Sequence, residues 1–521
     1  MKKFFANYKI EIIVFLIFVL SRLPGLGSDT FNTDVWKWKA RSYDFGSGVF
    51  GLDFEKTIQK YHPGVTLMWL GALGIKIYNL TSPKDSLNTV FGLNTVQKVL
   101  VVLAIGATLS FIFYVLKKLF GNKYAFISVF LLLLEPFYVA LTREFHLEGL
   151  ISTFMLASIL WFYYWLEDNS KSRRFLASSF FAALAFLTKT SSLFLIPFFG
   201  LSILVFSKKS LKEIIVPFAK WLVLVAIFCF VMWPALWVNA PEVFKVLYKG
   251  IFTIGIEGDH EQYFFGKLVS DPGVLYYPVV FFFRSSVYLM LGLVGAVVFR
   301  KKFVDKKTSR FILFLALYAF FYALELTISS KKLDRYLIPS ITSLVLIASF
   351  FYVWLISGFS KLKAVLFFAF PILTLVCIHP DYFSYYNPIF GGTKTGIFVI
   401  EPKWMIGQRE IVKLFKQVEK DGNYKFSPED ESFEELIKTR GVENVLSVGF
   451  PEKYYTQIWP FLRRIGAWGV IKDLTPFAVH AKYFVYPVWM DEPYSEDRFK
   501  LEFVDVIKVR GTPVYNVYKK V

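Results

Sequence analysis

Long uncharged apolar runs separated by short basic segments fill the first 400 residues of this 521-residue chain. Runs such as Val99–Leu116, Trp221–Trp237 and Leu337–Ile356 contain no charged residue. At about 1.5 Å of rise per residue, each is long enough to cross a hydrocarbon core of ~30 Å with modest adjustment of the bilayer. Lipid offers no partner to an open backbone, so these runs are expected to be helices. The pattern predicts about eleven spans, within a range of ten to thirteen, near residues 10–26, 97–116, 124–141, 149–166, 174–188, 191–206, 219–236, 279–299, 311–329, 337–357 and 363–379. The stretch Gly64–Leu80 is also apolar. Counting it as a span would reverse the side of every later loop, so it is read as a helix lying in the outer interface with Trp69 at headgroup level.

After about residue 401 the pattern changes. Helical patterns at Gln408–Lys420 and Ser432–Arg440, the second stopped by Gly441, precede a strand at Val445–Phe450. A terminal hairpin pairs Phe503–Val509 with Val514–Tyr518 and turns at Gly511-Thr512-Pro513. The expected fold is an all-α polytopic membrane protein over residues 1–400, with interfacial helices in its outer loops, followed by a small extracytoplasmic α/β domain over 401–521. Its first outer loop covers 27–96 and a second large one covers 238–278.

Composition agrees with the pattern. A hydrophobic fraction of 55%, including 60 Phe, is too much apolar surface for a soluble globule to hide. The net charge of +19 raises the question of nucleic acid, but its distribution answers it. Residues 1–400 hold 40 Lys+Arg against 22 Asp+Glu, whereas residues 401–521 hold 19 against 18. The excess therefore lies in the membrane part. With a cytoplasmic N-terminus, the basic segments Lys117–Lys123, Lys171–Arg174, Lys208–Lys212, Arg300–Arg310 and Lys361–Lys363 all fall inside, as the positive-inside rule asks. Nucleic acid is not an expected partner, and the expected location is the plasma (inner) membrane of a prokaryote. Cys229 and Cys377 both fall in apolar spans and provide neither a disulfide framework nor zinc-ligand spacing.

This topology gathers the unusual polar residues on the outer face. The first outer loop opens SDTFNTDVWKWKARSYDF, with Asp34 just beyond the first span. A carboxylate held there can take a proton from a hydroxyl as that hydroxyl attacks a sugar, or it can simply cap a surface helix. The third span exits at LTREFHLEGL, where Arg143 can bind a phosphate oxygen and His146 or Glu148 can orient a sugar or a metal. The bland alternative is interfacial anchoring with a local ion pair. In SSKKLDRYLIP, Lys331, Lys332 and Arg335 place three cations at the outer boundary, where topology does not require them, and a lipid phosphate headgroup would account for them. Arg284, one turn into the eighth span, is a further phosphate candidate unless it snorkels to the interface. Asp334 is expected to pair with a neighbouring cation. The histidines show no spacing of the HExxH kind, so no cofactor is expected, and a divalent metal is left open.

Asp34, YHPGVTLMWLGALG at 61–74, REFHLEG at 143–149, YYP with Arg284 at 276–284, KKLDRYLIP at 331–339 and HPDYFSYYNPIFGG at 379–392 together resemble the protein O-mannosyltransferase and aminoarabinose transferase superfamily, over about residues 10–392. The resemblance implies a C-type glycosyltransferase fold, a polyprenyl-phosphate sugar donor and catalysis on the non-cytoplasmic face. It places Asp34 at the position of the family's catalytic aspartate, although Val35 stands where many members carry a second acid. His62, His146, Glu148, Tyr336 and Asn387 are then candidates for positioning sugar or acceptor, and Arg143, Arg284, Lys331, Lys332 and Arg335 for the donor phosphate. The expected activity is transfer of a sugar from dolichyl- or undecaprenyl-phosphate to a hydroxyl on a lipid, glycan or protein, with inversion. The alternative is a transporter or flippase of lipid-linked glycans, which would also need many spans but often shows repeated halves. The sugar and the acceptor are open.

Overall fold

The computed structural model describes residues 8–81, 86–168, 172–207, 211–254, 261–422, 424, 433–471, 479–490 and 500–521. The basic segment around 208–210 and the start of the 171–174 segment lie outside these residues, as does the first residue of the expected 432–440 helix.

The protein is mostly helical, with a small sheet near its C-terminus. Among the described residues, five helices are long and apolar enough to cross a membrane: Thr89–Leu134, Leu147–Glu167, Ile215–Met232, Lys306–Ile328 and Asp334–Ser357. A sixth comes from a bent pair, and Thr190–Phe206 and Leu362–Ile378 are shorter apolar helices. Leu147–Glu167 is enclosed by its neighbours on nearly all sides, whereas Ile215–Met232 leaves most of its apolar surface uncovered. A helix apolar all round yet exposed is stable only where lipid replaces water.

Two details depart from the simplest hydropathy reading. The expected spans at 97–116 and 124–141 are parts of one helical run, Ser86–Leu134, broken at Gly121, whose φ of 84° no other residue adopts easily. The run ends at Glu135, and Pro136–Thr142 continues as a separate short helix. The expected 279–299 span is two helices, Tyr276–Arg284 and Val287–Val298, meeting at 108°. The bend has a local cause. Ser285 is extended, Ser286 caps the second helix by accepting from Leu289 N, and the Glu135 carboxylate accepts from both Ser286 N (3.1 Å) and Ser286 Oγ (2.6 Å).

The loop after the first helix, Lys9–Arg22, folds into Val35–Phe50 and Val65–Thr81, which pack against each other. They cross closely at glycines: a Cβ on Gly71 would lie 2.2 Å from Ser42 Oγ, and one on Gly46 would lie 2.9 Å from the Ala72 Cβ. That crossing fixes the helix whose N-cap is Asp34.

Two short strands, β1 (Gln262–Phe264) and β2 (Lys267–Val269), form a hairpin in the large loop. The C-terminal sheet contains β3 (Leu446–Phe450), β4 (Ala467–Ile471), β5 (Tyr483–Pro487), β6 (Leu501–Val509) and β7 (Thr512–Lys520) in the order β4-β3-β5-β7-β6. β3 is parallel to β4 and β5, and the terminal hairpin β6–β7 turns through Arg510 and Gly511, both at positive φ. Helices Gln408–Asp421 and Glu452–Arg464 flank the sheet, one face of which joins the apolar core of the membrane helices while Val445, Val470, Ala481, Phe484 and Tyr486 form a separate cluster.

Candidate functional site

Six helix ends converge on one cavity. Asp34 stands at the N-cap of Val35–Phe50, yet its side chain makes no capping hydrogen bond. The capping explanation for this aspartate therefore does not apply, and the carboxylate faces the cavity instead. Asn32 holds its backbone by accepting from Asp34 N at 3.1 Å. His146 and Glu148 come from the start of Leu147–Glu167, Lys189 follows the end of Ser172–Thr188, and Lys331, Arg335 and Tyr336 lie between two long helices. Tyr61 and His62 precede Val65–Thr81. The cavity measures about 200 Å³ and adjoins a second lobe of about 350 Å³, with Tyr61, His62, Lys189, Lys331 and Tyr336 lining both. Leu193, Ile251, Tyr277 and Leu326 make the second lobe more apolar.

Charge is arranged around two carboxylates. Asp34 Oδ2 receives His146 Nε2 at 3.4 Å and an Arg335 guanidinium nitrogen at 3.6 Å, while among the described residues Oδ1 has only the exposed Lys37 ammonium at 3.7 Å. One oxygen is held and the other is left toward the cavity. Glu148 binds the other ring nitrogen of His146, accepts from Lys189 at 3.1 Å and lies 3.5 Å from Arg335 Nε. Lys189 also sits 3.4 Å over the Tyr336 ring, a close cation–π contact. Lys37, Arg41, Lys189, Lys331 and Arg335 thus face two carboxylates across the first lobe, a cationic excess suited to an anion.

These neighbours set the protonation states. Burial opposes ionisation of Asp34, but the hydrogen bond and charge of His146, with Arg335 and Lys37, hold its carboxyl below the usual carboxylate range. Burial works against the His146 imidazolium, but Glu148 and the hydrogen bonds to Asp34 and Glu148 raise its pKa above the ordinary value. His62 goes the other way. Burial, with Lys189 and Arg41 nearby, pushes it down to about 3, leaving a neutral imidazole at physiological pH. Burial, followed by the charge of Arg335, lowers Lys331.

Of the residues singled out from the sequence, Asp34, His62, His146, Glu148, Lys331, Arg335 and Tyr336 line this cavity. Four do not. Lys332 turns away to Asp271, at 2.6 Å, and to Ser329 O. Arg143 is engaged by Asp29 and by the carbonyls of Arg22 and Pro24 (2.7 Å). Behind it Lys98 joins Asp29 (3.6 Å) to Glu144 (3.1 Å), forming a buried network that supports the Asp34 loop. Arg284 is fully buried and pairs with Asp334 at 2.7 Å while donating to Phe383 O, Tyr385 O and Tyr386 Oη. Asn387 caps a short turn by accepting from Ile389 N and donates to Ser285 O. These four are tied into the scaffold because a buried cation or amide without partners would be costly, and main-chain carbonyls and carboxylates supply the partners locally. Conversely, Lys189 and Arg41 belong to the cavity without having been selected from sequence. Lys189 had a signal, being the one charge between two apolar runs. Among the described residues no group of three or more His, Cys, Asp or Glu could hold a metal ion.

Residues 87–236 match the family described as "Dolichyl-phosphate-mannose-protein mannosyltransferase". Over that stretch, less than a third of its length, the chain is similar to this family. No curated protein matches it. Among solved structures it aligns loosely with ArnT from Cupriavidus metallidurans bound to undecaprenyl phosphate, at 13% identity and a TM-score of 0.47, covering 97% of each chain. It aligns similarly with the archaeal oligosaccharyltransferase AglB from Archaeoglobus fulgidus in complex with an inhibitory peptide and a dolichol-phosphate, at 13% identity and a TM-score of 0.41, covering 93% of this chain and 70% of that one.

Proposed function

We propose that this protein transfers a sugar from a polyprenyl phosphate to a hydroxyl acceptor, with Asp34 as the base, on the extracytoplasmic face of a prokaryotic plasma membrane. The observation that carries this reading is the Asp34 carboxylate, with Oδ1 held only by the exposed Lys37, lining a cation-walled cavity that adjoins a more apolar one. A polyprenyl phosphate departs as an anion, so it needs positive charge rather than a general acid. Lys189 and Lys331 stand at the junction of the lobes, where a phosphate would leave its lipid on the apolar side and its sugar beside Asp34. Asp34 Oδ1 takes the proton of the acceptor hydroxyl as that oxygen attacks the anomeric carbon in line, inverting it. One base and a cationic clamp suffice, unlike glycoside hydrolases, which use two carboxylates because their leaving group needs a proton. Arg335 holds the spare oxygen of Asp34 and shares the cationic wall.

Sidedness is supported from both ends of the molecule. Residues 34–62, 146–148, 189 and 331–336, all in or next to expected outer segments, meet at this cavity, while the expected inner ones meet each other elsewhere. Lys123 donates to Ser357 Oγ at 2.6 Å, Lys117 pairs with Glu11, and Arg310 lies 3.5 Å from Glu167. About eleven crossings with a cytoplasmic N-terminus fit this arrangement when Ser86–Leu134 is counted as two spans about Gly121, the shorter helices Lys9–Arg22, Ser172–Thr188, Thr190–Phe206 and Leu362–Ile378 are counted as spans, and Val65–Thr81 is left in the outer interface.

The test is transfer by the purified protein in lipid nanodiscs from radiolabelled polyprenyl-phosphate sugars. Asp34→Asn should lower turnover by roughly 10²–10⁴-fold while leaving insertion intact. Unchanged turnover would remove the base assignment.

A further inference from the structure

The segment 400–408 straps the C-terminal domain to the Asp34 loop, and it is fastened at almost every residue. Tyr454 Oη donates to Pro402 O (3.1 Å), Thr33 Oγ1 to Lys403 O (3.4 Å) and Tyr515 Oη to Ile406 O (2.9 Å). Met405 N donates to Gln457 Oε1 (2.8 Å), Gly407 N to Asp381 Oδ2 (2.7 Å) and Gln408 Nε2 to Phe31 O (3.2 Å). The loop is gripped from its other side too. Trp36, two residues beyond Asp34, donates to Thr456 O at 2.6 Å and packs on Trp459, with ring centroids 5.1 Å apart.

At the centre of the strap is Trp404, 3% exposed. Its ring meets His146 edge to face, with centroids 5.0 Å apart, and the Arg335 guanidinium lies 5.4 Å from its centroid. These are the two groups that hold Asp34 Oδ2. The indole N–H is buried and, among the described residues, has no hydrogen-bond partner. Leaving such a donor unpaired is unfavourable, so ring packing and the strap, rather than a hydrogen bond, keep Trp404 in place.

We infer that the C-terminal domain is part of the catalytic apparatus, with Trp404 as the positioning residue through which it presses His146 and Arg335 against Asp34. The role in turnover rests on the function proposed above; the effect on His146 does not. A ring packed on the imidazole keeps water away from the Asp34–His146–Glu148 chain, so that charge pairing inside it is not screened. Without that ring, water enters and the imidazole drifts toward its free-solution behaviour.

The experiment is a histidine-labelled NMR titration of the full-length protein in nanodiscs, with His146→Gln assigning the signal, run beside the transfer assay. In Trp404→Ala the His146 pKa should move toward 6.5, its ordinary value, and kcat should fall at least tenfold. Trp404→Phe keeps the ring, discards the orphan N–H and should restore both. An unmoved His146 titration in a Trp404→Ala protein that elutes and melts like wild type would overturn the inference, as would failure of Trp404→Phe to rescue the titration. If the titration moves but wild type transfers no sugar, the proposed function fails and the positioning of His146 stands. If Trp404→Ala does not fold, Trp36→Phe, which removes the hydrogen bond to Thr456, takes its place. An unmoved His146 titration there would likewise overturn the coupling.

Discussion

His146 Nε2 lies 3.4 Å from Asp34 Oδ2, and the opposite ring nitrogen is bound to Glu148, so a single imidazole is shared between two carboxylates. The arrangement lowers the pKa of Asp34 and raises that of His146. The carboxylate form of Asp34 therefore persists below pH 3.8, and the imidazolium of His146 persists above pH 6.5. With Asp34 as the proposed base, turnover requires it ionised and held, so the acid limb of the pH–rate profile should lie below the ordinary carboxylate value and the alkaline limb above the ordinary histidine value. In His146→Gln the alkaline limb set by this imidazole should vanish. Asp34 loses its main lowering partner, so the acid limb should move up in pH. A profile with both limbs as in wild type would show that the imidazole does not control the base.

Lys189 and Lys332 separate two explanations of the cations between the long helices. Lys189 lies at the junction of the lobes, bound to Glu148, whereas Lys332 is turned to Asp271 and the Ser329 carbonyl. Losing a hydrogen bond to a charged group costs about 1.5–3 kcal/mol, or roughly 10–100-fold in affinity. Lys189→Met should raise the KM for the lipid-phosphate donor by that factor, and Lys332→Met should leave it within about twofold, since it contributes only the weak term of a partly exposed pair. Steady-state kinetics with varied donor distinguish the two, and equal effects would undo the assignment of the phosphate to the lobe junction.

The limits of the sequence are clearest in the KKLDRYLIP segment. Charge at the outer boundary was visible there, and Lys331, Arg335 and Tyr336 do reach the cavity. Lys332 does not, because its partner Asp271 lies in a loop about sixty residues earlier, and such a pairing leaves no local pattern. The same blindness affected Arg143 and Arg284, whose positions were conspicuous but whose acceptors are carbonyls and carboxylates brought in by folding. The apolar helices and the terminal hairpin were legible because period and turn residues are local properties. The bend at Ser285 was not, since it depends on Glu135 reaching it from another helix. Trp404 lacked any signal: one aromatic in a connecting segment has meaning only once the segment is seen lying on His146.

Arg284 allows the scaffold reading to be tested against the phosphate reading. Its guanidinium pairs with Asp334 at 2.7 Å, donates to the carbonyls of Phe383 (2.8 Å) and Tyr385 (2.9 Å), and reaches Tyr386 Oη at 3.1 Å. Both members of the pair are almost wholly buried, so removing one leaves an uncompensated charge, which typically costs about 3–5 kcal/mol. Arg284→Met should therefore lower the unfolding temperature in detergent markedly. Adding Asp334→Asn should recover part of that loss, because the stranded carboxylate is then neutral. A phosphate ligand would behave differently: Arg284→Met would raise the donor KM in a protein of normal stability, and Asp334→Asn would rescue nothing. Thermal unfolding and donor kinetics on the two single variants and the double variant decide between these outcomes. The geometry favours the first, since the guanidinium's donors are directed at the 383–386 segment and Asp334 rather than at the cavity.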